Sequence, residues 1–132
     1  MRPRTILVVD DDPDIRRITA LSLERIGGFR VSLAASAEGA LELAKRAPPD
    51  LLLLDVSMPG TDGPAMLAAL RADPDTERVP VVFLTAMSSD DQIARLFALG
   101  VADVISKPFD LVALPARIRD IFCRAELHGV GR

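Results

Sequence analysis

ILVVDDDPDI, residues 6–15, sets four apolar residues directly against three consecutive aspartates and then resumes with a helix-starting signal. Four apolar residues are too few for a helix and too continuous for a strand that is wet on one side, so the run reads as a strand buried on both faces. The aspartates that close it point to something else. Two carboxylates about 4 Å apart at a protein surface repel by roughly 4 kcal/mol, so crowding them at one point implies a positive partner there.

Outward from this stretch the same pattern recurs. Leu51–Leu54 and Val81–Leu84 are again short, unbroken apolar runs, whereas Phe29–Leu33 alternates with period two and belongs at a sheet edge. A fifth strand is expected over Val101–Ser106. Helical patterns separate the strands. Ile15, Ile18, Thr19, Ser22 and Ile26 share one face of a helix ending at Gly27-Gly28, with Ala20 and Leu21 left exposed beyond the buried stripe. Ala37, Ala40, Leu41 and Ala44 mark a second helix that ends before Pro48-Pro49. Pro64 opens a third that runs to about Arg71, and Ile93, Leu96, Phe97 and Gly100 mark a fourth, with Ser88 or Ser89 as N-cap and Asp90 and Asp91 in the first turn. The last helix carries Leu111, Leu114, Ile118, Ile121 and Ala125, and Pro115 requires either a kink or a start near Leu114. Five βα units in succession predict an α/β fold: a doubly wound parallel sheet with helices on both faces.

With 132 residues, 49% of them apolar, the chain fits one domain with a single core. A net charge of −3 with scattered Lys and Arg argues against a nucleic-acid footprint, and the lack of Trp and Tyr removes stacking platforms for single strands. No signal-peptide pattern or membrane-length apolar run occurs, which predicts a cytoplasmic protein with no membrane partner. The single cysteine, Cys123, reads as a small core hydrophobe, and the single histidine, His128, as a tail residue without a catalytic role.

Ligands of an open parallel sheet bind outside the carboxyl ends of its strands. The first strand ends at Asp10-Asp11-Asp12, the third at Asp55, the fourth at Thr85 and the fifth at Lys107. Singly, each has an ordinary structural reading. Asp12 before Pro13 is an N-cap followed by a first-turn proline, which takes Asp12 out of the site, and the others suit a capped turn, a helix cap and a solvated lysine. Three carboxylates, a hydroxyl and an ammonium on one rim are hard to reconcile with four independent structural roles. Acids without histidine or cysteine make an oxygen-only site suited to Mg²⁺, with Lys107 supplying a second positive charge on the far side. These are parts for attack on a phosphoryl group: Asp55 as nucleophile, Mg²⁺ and Lys107 neutralising the transferring oxygens, and Thr85 donating a hydrogen bond.

VVDDDPDI, LLLLDVSMPGTDG, FLTA and SKPF occur in that order, with 44 residues from Asp11 to Asp55, 30 from Asp55 to Thr85 and 22 from Thr85 to Lys107. The ordered set resembles the CheY-like receiver domain of two-component response regulators, over roughly residues 4–126, within a receiver domain taken as 1–126 followed by a tail, 127–132. The resemblance implies a flavodoxin-like sheet of order 2-1-3-4-5 and phosphorylation of Asp55 by a sensor histidine kinase or a histidine phosphotransfer protein. It implies that Asp10 and Asp11 hold Mg²⁺, Asp11 directly, together with Asp55 and the backbone carbonyl of Ser57. It further implies a cis Lys107-Pro108 bond, a Gly63 placed where a side chain would obstruct the turn, and control of partner binding through the face of the fourth helix, fifth strand and fifth helix. That face also allows a homodimer.

Two positions depart from the family pattern. Val104 stands where an aromatic residue usually swings inward, which shifts the expected change to the fourth helix or the loop before it. Met87, two places after Thr85, is expected to hinder attack by water and to slow self-dephosphorylation. Two other functional classes remain open from sequence. A receiver-shaped docking protein that is never phosphorylated usually lacks one of these acids or the lysine, and the full set is present. An aspartyl-phosphate phosphatase would carry a second acid where this chain has Ser57. With so short a tail, no DNA-binding or enzymatic domain is expected after the last helix, and a stand-alone regulator and one domain of a longer protein both fit.

Overall fold

In a computed structural model, residues 3–127 are described. The apolar runs become parallel strands β1 (Thr5–Val9), β2 (Arg30–Ala34), β3 (Leu51–Asp55), β4 (Val81–Thr85) and β5 (Asp103–Ser106), in the order β2-β1-β3-β4-β5. This is the flavodoxin-like arrangement expected. Register decides what the rim looks like. Val9 pairs with Leu54, Asp55 with Leu84 and Thr85 with Ser106, so the strands end nearly level and Asp10, Asp55, Thr85 and Lys107 emerge side by side.

Five helices connect and cover the sheet: α1 (Pro13–Leu21), α2 (Ala37–Arg46), α3 (Gly63–Arg71), α4 (Asp90–Phe97) and α5 (Leu114–Leu127). Their starts follow side-chain capping, in which an oxygen accepts an otherwise orphaned backbone N–H. Asp12 accepts from Asp14 and Ile15, Ser36 from Gly39, Asp62 from Ala65 and Ser89, rather than Ser88, from Gln92. α5 begins at Leu114 without a kink, because residues 111–113 form a separate turn in which Asp110 accepts the Val112 and Ala113 N–H groups. Pro115 then sits in the first turn, where its missing N–H costs nothing.

Strand alternation divides the core into two layers. Leu7, Val9, Leu52, Leu54, Val81, Phe83 and Val104 pack with Ala40, Ala44, Met66, Leu67, Leu70 and Leu96. Ile6, Val8, Leu51, Leu53, Val82, Leu84 and Ile105 pack with Leu23, Leu114, Ile118, Ile121 and Phe122. Each fully buried Leu or Ile contributes about 1.5–3 kcal/mol relative to exposure.

The first helix departs from the expected stripe. After Leu21 the chain makes a π-helical turn, Ser22–Ile26, whose extra residue rotates the face presented to the core. Leu23 is therefore buried, while Ile18 is 40% and Ile26 53% exposed. Thr19 and Ser22 lie inside as expected, but Ala20 is also buried, which leaves only Leu21 of the proposed outward pair exposed. The Ser22 hydroxyl donates to the Leu111 carbonyl, tying this turn to the segment before α5.

Cys123 is exposed, contrary to its reading as a core residue, because the inward stripe of α5 is filled by Ile118, Ile121 and Phe122. β5 is two residues shorter at its start than expected, with Val101 buried ahead of it. Gly63 is a packing glycine: a Cβ there would lie 2.9 Å from Val56 Cγ1, and the left-handed backbone of this loop falls at Gly60, φ 75°. The Lys107-Pro108 bond is cis. His128 lies outside the described residues.

Candidate functional site

The polar residues at the rim are as deeply placed as the core beneath them. Asp10 is 1%, Asp55 3% and Thr85 0% exposed, whereas Asp11 lies open to solvent. Burying two carboxylates requires that their oxygens be satisfied. Here all four are. Lys107 Nζ donates to Asp10 Oδ2 at 2.9 Å and to Asp55 Oδ2 at 2.8 Å. The Asp12 N–H donates to Asp10 Oδ1 at 3.0 Å, and the Ser57 N–H to Asp55 Oδ1 at 2.8 Å. Arg16 Nη1 adds a bond of 2.8 Å to the Asp10 carbonyl, fixing the turn that carries the first two acids.

Lys107 thus bridges two of the acids, the second positive charge that the sequence places beside them. Its position follows from level strand ends: β5 leaves the sheet beside β4, and a lysine stem reaches past Thr85 to Asp55. Asp12 caps α1 and takes no part in the cluster, as expected.

Burial is the largest influence on Asp55 and, with the Asp10 charge beside it, holds its carboxyl above the ordinary range despite the opposing bonds from Lys107 and the Ser57 N–H. For Lys107, burial alone would lower the ammonium, but bonds and charge from Asp55 and Asp10 outweigh it and leave the group raised. The Lys107 ammonium thus sits between two acids, and burial disfavours the charged form of Asp55.

Asp10, Asp11 and Asp55 each offer a carboxylate oxygen, and these oxygens lie within 4.8 Å of one another. Three hard oxygen donors so close together, with no nitrogen or sulfur ligand among them, fit a divalent cation such as Mg²⁺.

The β4–α4 loop forms the remaining wall. Thr85 Oγ1 accepts the Met87 N–H at 3.0 Å, Ser57 Oγ accepts the Ala86 N–H at 2.8 Å, and the Ser106 hydroxyl donates to the Met87 carbonyl at 3.4 Å. Val104 is buried under the sheet edge, and Met87 is 39% exposed beside the pocket. The side chains of Ser57, Ser106 and Arg16 were not singled out from sequence. A hydroxyl bonded across two loops reads the same in one dimension as a solvated one, and Ser57 entered from sequence only through its backbone carbonyl and as the position lacking a second acid.

Fold and site together define a class: a doubly wound parallel α/β domain with three clustered carboxylates and a bridging lysine at its carboxyl rim. The chain matches the response regulator receiver domain over residues 6–119. It belongs to that family, the receiver domains of two-component response regulators. It is 44% identical over 121 residues to the transcriptional regulatory protein PrrA of Mycobacterium leprae, covering 90% of this chain and 50% of that protein. It is 40% identical over 118 residues to the response regulator PleD of Caulobacter vibrioides, covering 88% and 25% respectively. The chain spans about half the length of the first curated relatives it matches. Among solved structures it is similar to the chemotaxis response regulator CheY4 of Vibrio cholerae, with a TM-score of 0.82 and 28% identity over 91% of this chain and 99% of that one. A putative response regulator from Chloroflexus aurantiacus gives the same TM-score at 35% identity, over 92% and 99%.

Proposed function

We propose that the protein is a phosphorylation-controlled switch that accepts a phosphoryl group on Asp55 from a histidine kinase or a histidine phosphotransfer protein. The observation that carries this reading is the buried Asp55 carboxylate, bonded to Lys107 at 2.8 Å and within 4.8 Å of oxygens of both Asp10 and Asp11. In the transfer, an Asp55 oxygen forms a bond to phosphorus as the donor's P–N bond breaks, and the electron pair leaves with the imidazole nitrogen. Lys107 neutralises charge on the transferring oxygens. Thr85, whose oxygen already accepts from Met87, retains its O–H to donate to one of them. Asp10, Asp11, Asp55 and the Ser57 carbonyl would hold Mg²⁺, which supplies charge neutralisation when bound.

We assign the receiver to residues 1–126 and a tail to 127–132. The donor's docking site is supported by an apolar groove of about 330 Å³ lined by Ile15, Ile18, Thr19, Lys107, Pro108, Phe109 and Leu111, which adjoins the phosphoacceptor through Lys107. An aliphatic face of the donor's helix would fill it, and the buried Thr19 hydroxyl lacks a partner there. The output surface lies on α4, β5 and α5, where Phe97 is an exposed apolar side chain available to a downstream protein or a second copy. Among the described residues no helix is long and apolar enough to cross a membrane.

Intact-mass measurement after incubation with acetyl phosphate tests the proposal. Wild type should gain one phosphoryl group with Mg²⁺ and none without it, and Asp55→Asn should gain none in either case. Wild type that stays unmodified with Mg²⁺ would favour a docking protein that is never phosphorylated.

A further inference from the structure

We infer that the Ser57 hydroxyl is a positioning group that restrains the β4–α4 loop in the unphosphorylated protein by occupying the Ala86 backbone N–H. The inference rests on the reading of Asp55 as phosphoacceptor. Ser57 is bonded in two directions: its N–H donates to Asp55 Oδ1 at 2.8 Å, and its Oγ accepts from Ala86 N at 2.8 Å. One residue therefore links the phosphoacceptor to the position that follows Thr85, across two loops 29 residues apart in the chain.

The rest of that loop is held in the same manner. Thr85 Oγ1 takes the Met87 N–H, and the Ser106 hydroxyl reaches the Met87 carbonyl at 3.4 Å, a length at which a hydrogen bond is weak. Val104, already buried and too small to alter its exposure much, adds no mobile aromatic side chain. The Ser57 bond is the shortest of the three, and it is the one that starts beside Asp55.

A phosphoryl group on Asp55 brings three acceptor oxygens and about −1.5 to −2 charges to this point. A hydrogen bond to such an oxygen is roughly twice as strong as one to a neutral hydroxyl. The Ala86 N–H therefore leaves Ser57 Oγ for a phosphoryl oxygen, and the segment leading to the Ser89 cap of α4 moves with it. Ser57 opposes that exchange, so removing its hydroxyl favours the phosphorylated arrangement. For the loss of one neutral hydrogen bond the expected gain is about two- to tenfold.

Two readouts on wild type, Ser57→Ala, Ser57→Cys and Ser57→Thr test this. In the unphosphorylated protein, amide hydrogen exchange at Ala86 should be about two- to tenfold faster in Ser57→Ala, partly so in Ser57→Cys, and close to wild type in Ser57→Thr, which keeps a hydroxyl. Titration with beryllofluoride and Mg²⁺, a phosphoryl mimic, should give a midpoint lower by a similar factor in Ser57→Ala and restored in Ser57→Thr. Unchanged exchange at Ala86, or a Ser57→Ala midpoint equal to or above that of wild type, overturns the inference and leaves the phosphoacceptor reading intact. If wild type itself neither binds the mimic nor forms a phosphoryl adduct, that reading fails and the inference falls with it.

Discussion

Leu51–Leu54 and Asp55 lie on one strand and are almost equally buried, yet they do opposite things to the fold. The leucines face apolar side chains on both sides of the sheet and stabilise it. Asp55 is held above its ordinary carboxylate range by the same burial, so its ionised form at neutral pH is a cost that the fold carries. Strand interiors hold the domain together, whereas the end of β3 holds a carboxyl whose charged form burial disfavours. The proposed phosphoacceptor role supplies a physical reason to keep such a group there.

The contrast is broken most directly by separating stability from reactivity at a single position. Asp55→Asn is expected to abolish the phosphoryl adduct completely, as read by intact mass, and to melt no lower than wild type in metal-free buffer. The sign follows from linkage: a raised carboxyl contributes stability that is full below its unfolded value near 3.8 and lost as pH rises through the folded one. Asparagine removes that loss. Phe83→Ala, inside the sheet, should do the reverse, costing about 3–5 kcal/mol in urea unfolding while the protein still folded at low temperature accepts the phosphoryl group.

Smaller effects sharpen the comparison. Met87→Glu should shorten the life of the adduct several-fold by letting water be held in line with the phosphorus, measured as decay of the phosphorylated mass. Asp12→Ala should cost about 1 kcal/mol through loss of the α1 cap and leave Mg²⁺ affinity unchanged, because Asp12 lies outside the cluster. The smallest effect concerns Lys107. A raised ammonium contributes stability present below its unfolded value near 10.5 and lost as pH rises through the folded one, so the urea midpoint of wild type should fall there more steeply than that of Lys107→Met.

Much of this contrast was legible in one dimension. Unbroken runs such as LLLL can be satisfied only by burial on both faces, and parallel strands with level ends bring Asp10, Asp55, Thr85 and Lys107 together without further information. The α1 cap at Asp12 and the start of α5 at Leu114 follow from local backbone chemistry. Other features depend on tertiary choices. Ile26 and Leu23 are equally apolar, and only the π-helical turn decides that Leu23 goes inside. Cys123 suited a core position until Ile121 and Phe122 filled it. Lys107 could satisfy its charge at several places, and its bridge between Asp10 and Asp55 depends on distances across three strands. The Ser57 hydroxyl bond needed two loops to meet.

The most direct test of the central claim is to locate the modification. Protein incubated with acetyl phosphate and Mg²⁺ and then reduced with borohydride converts an aspartyl phosphate to homoserine, which tandem mass spectrometry places on the chain. The account predicts homoserine at position 55 alone. Homoserine at Asp10 or Asp11, or at no position while the intact mass still shows a phosphoryl group, would contradict it.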